Sequence, residues 1–141
     1  MCSAGTLTAD AAVANIRYCR REVRRIVSRL HVVRSRIMYI ENKTDGLSGP
    51  ARIGRVTYSK SGRTLRYAGL EFRTLDGRGF KANYRDVASG DEYWISGCKK
   101  AGGDRLYGER VPVLIDEDAR VEYWTEIRGA PERQTETDAS R

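Results

Sequence analysis

From Met38 onward the chain is cut into short extended runs by glycine-bearing turns, "SKSGR", "LDGRG", "ASGD" and "KKAGGD". Intervals this short leave no room for the crossover helices of a parallel sheet, so the runs are expected to pair as antiparallel neighbours. The expected strands are Met38 to Glu41, Ile53 to Ser59, Leu65 to Leu75, Phe80 to Val87, Tyr93 to Ser96 and Val111 to Ile115. Val56 and Tyr58 share one face, opposite Arg55, Thr57 and Ser59. Leu65 and Tyr67 change parity relative to Leu70 and Phe72 across Ala68-Gly69, which reads as a β-bulge that curls the sheet. The fold class is therefore mainly β: a small antiparallel SH3-like barrel or curled sheet.

Helical periodicity brackets the strands. In "IDEDARVEYWTEIRG", Ala119, Tyr123, Trp124 and Ile127 fall on one helical face, with Asp116 as N-cap and Gly129 as C-terminal stop. Asp116, Glu117 and Asp118 suit the positive end of that helix, which explains the acidic cluster without a metal. Upstream, Ile16, Cys19, Val23, Ile26, Leu30, Val33 and Ile37 recur at spacings of three and four, flanked by arginines. That is a basic amphipathic helix, with an apolar seam fit for docking, oligomerisation, a membrane surface or nucleic acid. Because "MYIENK" reads like a start, residues 1–37 are alternatively an upstream extension. The expected organisation is an Arg-rich helical extension over 1–37, a barrel domain over 38–129 and a disordered tail over 130–141, since "APERQTETDASR" lacks apolar periodicity.

The chain has 141 residues and a formal net charge of +7, but the charge is uneven. Residues 1–37 hold eight Arg against Asp10 and Glu22, whereas residues 38–141 hold 18 basic and 17 acidic side chains. Within the domain, residues 51–85 carry nine Lys or Arg against Glu71 and Asp76, and residues 86–141 carry eight against thirteen acidic. Basic and aromatic residues interleave there: Arg55, Lys60, Arg63, Arg66, Arg73, Arg78, Lys81 and Arg85 with Tyr58, Tyr67, Phe72, Phe80 and Tyr84. Such interleaving suits phosphate contact and base stacking, whereas strict alternation would turn the aromatics inward as core. The candidate nucleic-acid or anion-binding residues are Arg55, Lys60, Arg63, Arg66, Tyr67, Lys81 and Arg85.

Catalysis is poorly provided for. The single histidine, His31, lies before Met38, so the domain has no Ser-His-Asp or Cys-His machinery and no histidine ligand for zinc. Cys98, beside Lys99 and Lys100 in "SGCKK", is the one candidate nucleophile, and ordinary thiol reactivity is expected of it. The backbones of "DGLSGPARIG" and "SGCKKAGGDR" could face an anion, although neither matches a phosphate-binding fingerprint. Three widely spaced cysteines with no apolar secretory core before them argue against a disulfide framework and for a reducing cytosol. The expected function is non-catalytic binding of nucleic acid or an acidic protein surface by a basic face, with no cofactor. The alternatives are a small enzyme or anion-binding protein using Cys98 and the adjacent lysines, and a module for protein assembly.

The runs "MYIENKTDGLSGPARIGRVTYSKSGRTLRY", "GFKANYRDVASGDEYWISGCKK", "DRLYG" and "EYWTEIRG" resemble a group of short, uncharacterised bacterial proteins that start at the counterpart of Met38. Members often carry the label 1-deoxy-D-xylulose-5-phosphate synthase, which names a thiamine-diphosphate enzyme several times this size. No counterpart of that enzyme's diphosphate-binding Gly-Asp-Gly motif occurs here, so the resemblance implies a family and no established site.

Overall fold

The computed structural model describes residues 33–108 and 110–140. Seven strands form: β1 (Arg34–Asn42), β2 (Ala51–Tyr58), β3 (Thr64–Tyr67), β4 (Leu70–Thr74), β5 (Tyr84–Asp86), β6 (Glu92–Gly97) and β7 (Val113–Ile115). The sheet runs β1-β6-β5-β4-β3-β2 and closes by pairing β1 with β2, which makes a six-stranded antiparallel barrel. Strand β7 is the exception to the antiparallel pattern. It lies parallel to β2, pairing Ala51 to Ile53 with Val113 to Ile115, while β3 takes the other end of the same β2 edge through Thr57 and Tyr58.

The parity change at Ala68-Gly69 is a reversal of the chain, not a bulge. Tyr67 pairs with Leu70 and Leu65 with Phe72 across a two-residue turn, so the expected strand Leu65 to Leu75 is the hairpin β3–β4. Ala68 and Gly69 have φ of 48° and 78°, the left-handed pair that matches the twist of a tight hairpin. A two-residue reversal returns Leu70 to the face of Tyr67, as a bulge would, which is why the pattern alone misleads.

Strand β1 is buried on both faces, and this organises the molecule. Met38 and Ile40 point into the barrel with Val56, Leu65, Phe72 and Ile95, packed around by Tyr58, Tyr67, Leu70, Tyr84 and Tyr93. Ile37 and Tyr39 point outward into a second core with Ile53, Val113, Ile115, Ala119, Tyr123 and Trp124. Each fully buried large apolar side chain here contributes about 1.5–3 kcal/mol. Gly54 is required where the two cores meet, since a Cβ there would overlap the Tyr67 ring and the Asp116 carboxylate.

The second core is roofed by helix α1 (Glu117–Glu122), which widens into a π-turn over Tyr123–Ile127. Ala119, Tyr123 and Trp124 are fully buried and Ile127 packs beside them, the face that the spacing predicts. The helix stops at Gly129, whose φ of +62° lets the Ala130 N–H reach the Trp124 carbonyl. Asp116 occupies the N-cap position, but its carboxylate makes no capping bond; it accepts from Arg52 Nε at 2.8 Å and from the Tyr67 hydroxyl at 2.5 Å.

Two expected boundaries shift. Strand β1 begins at Arg34, so Met38 stands inside it; Arg34–Ile37 pair with Tyr58–Arg55, and Ile37 is buried. The expected helix over 16–37 therefore does not include its last residues, and the part before Val33 lies outside the described residues. The segment from Ala130 is ordered rather than a disordered tail. A 3-10 turn over Pro131–Arg133 brings the chain back along β7, where the Ile115 N–H donates to Thr137 and the Ala139 N–H to Val113. Trp124 Nε1 donates to the Glu136 carbonyl at 3.0 Å, and Ala139 is buried. An edge strand's open backbone groups need partners, and this segment supplies them without any apolar rhythm of its own. Among the described residues, no helix is long and apolar enough to cross a membrane.

Candidate anion-binding surface

Alternation along the strands decides which of the basic residues can act together. Leu65, Phe72 and Asp86 are buried, so Arg66, Glu71, Arg73 and Arg85 project outward from β3, β4 and β5. Arg66 stands across from Glu71, which it approaches at 3.3 Å, and Arg73 stands across from Arg85. Arg85 is 3.9 Å from Glu92 on the next strand. Among the described residues, Arg73 has no carboxylate within ion-pair distance, and neither do Lys60 and Arg63, exposed on the turn between β2 and β3. The Thr74 N–H donates to the Arg63 carbonyl, so this turn borders Arg73. Lys60, Arg63, Arg66, Arg73 and Arg85 thus form one outer strip, five cations against the carboxylates of Glu71 and Glu92.

Of the other three candidates two stand elsewhere, and Lys81 lies at the edge of the strip, near the same Glu92 as Arg85. Arg55 faces the C-terminal helix, where Glu122 at 2.5 Å and Asp118 at 4.0 Å hold its guanidinium firmly in the charged form. Lys81 reaches the loop after β1, donating to the Thr44 carbonyl at 2.9 Å and lying 3.8 Å from Glu92. Tyr67 lies against Gly54 with its hydroxyl on Asp116; burial, then that hydrogen bond, keeps the phenol protonated above its usual range. It is a packing residue and offers no stacking platform. Tyr58, Tyr84 and Tyr93 likewise pack on the barrel interior, and Phe72 meets Tyr93 with ring centroids 4.7 Å apart. Only Phe80 of the interleaved aromatics is exposed, at 99%.

Cys98 is half-buried against the second core, its Sγ 3.9 Å from the Ile37 carbonyl. Burial pushes the thiol up to about 12, and nearby Asp104 adds to this; Arg128 and Arg36 oppose it, and Lys99 and Lys100 are not among the groups acting on it. The thiol is thus protonated near neutrality and less reactive than an ordinary one. Lys100 turns instead to a cleft of about 360 Å³ between the "KKAGGD" loop and the C-terminal segment. Its lining includes Gly102, Gly103, Lys100, Arg128 and Arg133, and no carboxylate among the described residues. Arg133 lies over the Trp124 ring at 4.0 Å and is paired with Glu136 at 2.6 Å.

A buried ionic group escaped the sequence reading. Glu41 is 1% exposed and accepts four donors: the Tyr39 hydroxyl at 2.8 Å, Lys43 at 3.0 Å, Arg105 at 2.8 Å and the Gly49 N–H at 3.1 Å. Below it, Asp104 accepts from the Tyr123 hydroxyl at 2.8 Å and the Lys99 N–H at 2.6 Å. The signal was present: Glu41 continues the outward phase of Ile37 and Tyr39, a carboxylate at an apolar strand position. Among the described residues no group of three or more His, Cys, Asp or Glu side chains could hold a metal ion. No protein family, curated protein or solved structure matches the chain.

Proposed function

We propose that the barrel is a non-catalytic binding module whose outer strip, formed by Lys60, Arg63, Arg66, Arg73 and Arg85, engages nucleic acid through its phosphates. The observation that carries this reading is the placement of Arg73 directly across from Arg85 on an exposed face. Like charges in register weaken a sheet, and an anion bridging the two guanidiniums reverses that effect. Because Tyr58, Tyr67, Phe72 and Tyr84 pack on the barrel interior and Phe80 lines a different cleft, contact is by charge and not by base stacking, so little sequence preference is expected. Titration of residues 33–141 with short duplexes at several salt concentrations tests this. Three or so neutralised phosphates give a log-log slope of about −2 to −3. Replacing Arg73 and Arg85 by Gln should flatten the slope and weaken all sequences alike. Absence of binding at low salt removes nucleic acid and leaves an acidic protein surface as the ligand of the strip.

A second reading rests on the cleft of Lys100, Arg128 and Arg133, which suits a small anion held by side chains and the Gly102-Gly103 backbone. Phosphate titration that shifts the Gly102 and Gly103 amides, and not those of β3–β5, would favour it over the strip.

A further inference from the structure

Four of the exposed large apolar residues gather in one place. Leu47, Phe80, Leu106 and Tyr107, from three separate loops, are each more than half exposed and converge on one cleft of about 240 Å³, walled on its inner side by Trp94. Its floor is the buried ionic group, with Tyr39, Glu41, Lys43 and Asp104 contributing. Apolar walls over a few fixed polar groups are the usual form of a small-molecule site, and this volume is that of one or two rings. Trp94, Phe80 and Tyr107 make the walls chiefly aromatic.

The floor decides the charge of what can enter. Glu41 already receives four donors, which take up its lone pairs, and each oxygen of Asp104 holds one donor, the Lys99 N–H or the Tyr123 hydroxyl. The groups with hydrogen to spare are the two ammonium ions. Lys43 gives protons to Glu41 and the Leu47 carbonyl and lies 5.7 Å from the Tyr107 ring centre, while Lys81 at the rim donates to Thr44. An ammonium has three donors and no acceptor, so each retains a proton for a ligand. Lys43 also occupies the face of Tyr107 that a cationic ligand would use, and with Lys81 it repels such a ligand.

We propose that this cleft binds a small planar aromatic carboxylate, its ring between Phe80, Trp94 and Tyr107 and its carboxylate toward Lys43 and Lys81. The site adjoins the outer strip at Glu92, which lies near both Lys81 and Arg85, but it does not depend on how the strip is used.

The test uses the full chain and 2-naphthoate, with the two indole N–H resonances as readout. Trp124, fully buried in the second core, also lines the cleft of Lys100, Arg128 and Arg133, so its indole reports binding there instead. The Trp94 indole should shift saturably while that of Trp124 does not. 2-Naphthylmethanol, of the same shape without the charge, should bind about tenfold more weakly, as should naphthoate to Phe80→Ala. Phe80 is almost wholly exposed, so this variant should keep the native amide spectrum. Lys81→Gln should narrow the preference for naphthoate over the alcohol. An unmoved Trp94 resonance, equal affinity for the alcohol, binding of phenyltrimethylammonium as tight as naphthoate, or an unchanged affinity in Phe80→Ala would each overturn the proposal.

Discussion

Replacing Glu41 by Gln keeps the shape of the side chain and removes the one negative charge that, among the described residues, pairs with both Lys43 and Arg105, whose side chains are each 5% exposed. An amide has one acceptor oxygen, whereas Glu41 presents two, each with two donors: Tyr39 and Lys43 on one, Arg105 and the Gly49 N–H on the other. Whichever way the amide turns, its NH₂ meets donors on one side, and two cations remain buried without a counter-ion. Breaking a buried ion pair in this manner costs about 3–5 kcal/mol. With an m-value of about 2 kcal/mol/M, the urea midpoint should fall by roughly 1.5–2.5 M, a large part of the stability of a domain this size. Urea titration followed by tryptophan fluorescence measures it. Tyr39→Phe is the comparator: it leaves Lys43 on the same oxygen and removes one hydrogen bond to a charge, worth about 1.5–3 kcal/mol, so its midpoint should lie between those of the wild type and Glu41→Gln. A shift below about 0.5 M for Glu41→Gln at unchanged m would mean that water already solvates Lys43 and Arg105, and the reasoning would be wrong. A larger loss in Tyr39→Phe than in Glu41→Gln would show that the hydroxyl, not the charge, governs the group.

Starting the chain at Met38 removes four paired residues of β1, the buried Ile37 among them, so residues 38–141 should be less stable than residues 33–141 by about 3 kcal/mol or more, measured by the same titration; equal stability would show that the first half of β1 contributes nothing. Cys98, with its thiol pushed up to about 12, should react with iodoacetamide at pH 7.5 at least about a hundredfold more slowly than a free thiol, and at the ordinary rate only once the protein is unfolded. Tyr39, Tyr67 and Tyr123 all ionise above the usual phenol range, chiefly because they are buried. Their raised values in the folded state contribute stability that is complete below the unfolded value of about 10 and is lost as the pH rises beyond it. The urea midpoint should therefore drop steeply between pH 10 and 12, and more gently in Tyr39→Phe; a flat profile there would contradict the burial of these phenols.

Local chemistry in the sequence determined the type of the elements. Turn residues at short intervals make consecutive strands antiparallel neighbours, as in all six barrel strands, and the spacing of Ala119, Tyr123, Trp124 and Ile127 marks the buried face of the closing helix, because side-chain direction follows from backbone period alone. The inward turn of Phe72, Tyr58 and Tyr84 was legible for the same reason, as one of two readings. Tertiary structure decided what period cannot encode. Whether Ala68-Gly69 bulges or reverses depends on which strand lies alongside, since both restore the same face. The segment after Gly129 is ordered because β7 offers it an open edge, a partner distant in the chain, Leu114 opposite Asp138, that no local pattern announces. Of seven candidate binding residues, Lys60, Arg63, Arg66 and Arg85 share a surface that Lys81 borders at Glu92, while Arg55 and Tyr67 are drawn off by Glu122 and Asp116. Charge sums count every arginine equally; which of them remains free is settled by the carboxylates that the fold brings within reach, and Arg73, across from Arg85, is one that it leaves without a carboxylate at ion-pair distance among the described residues.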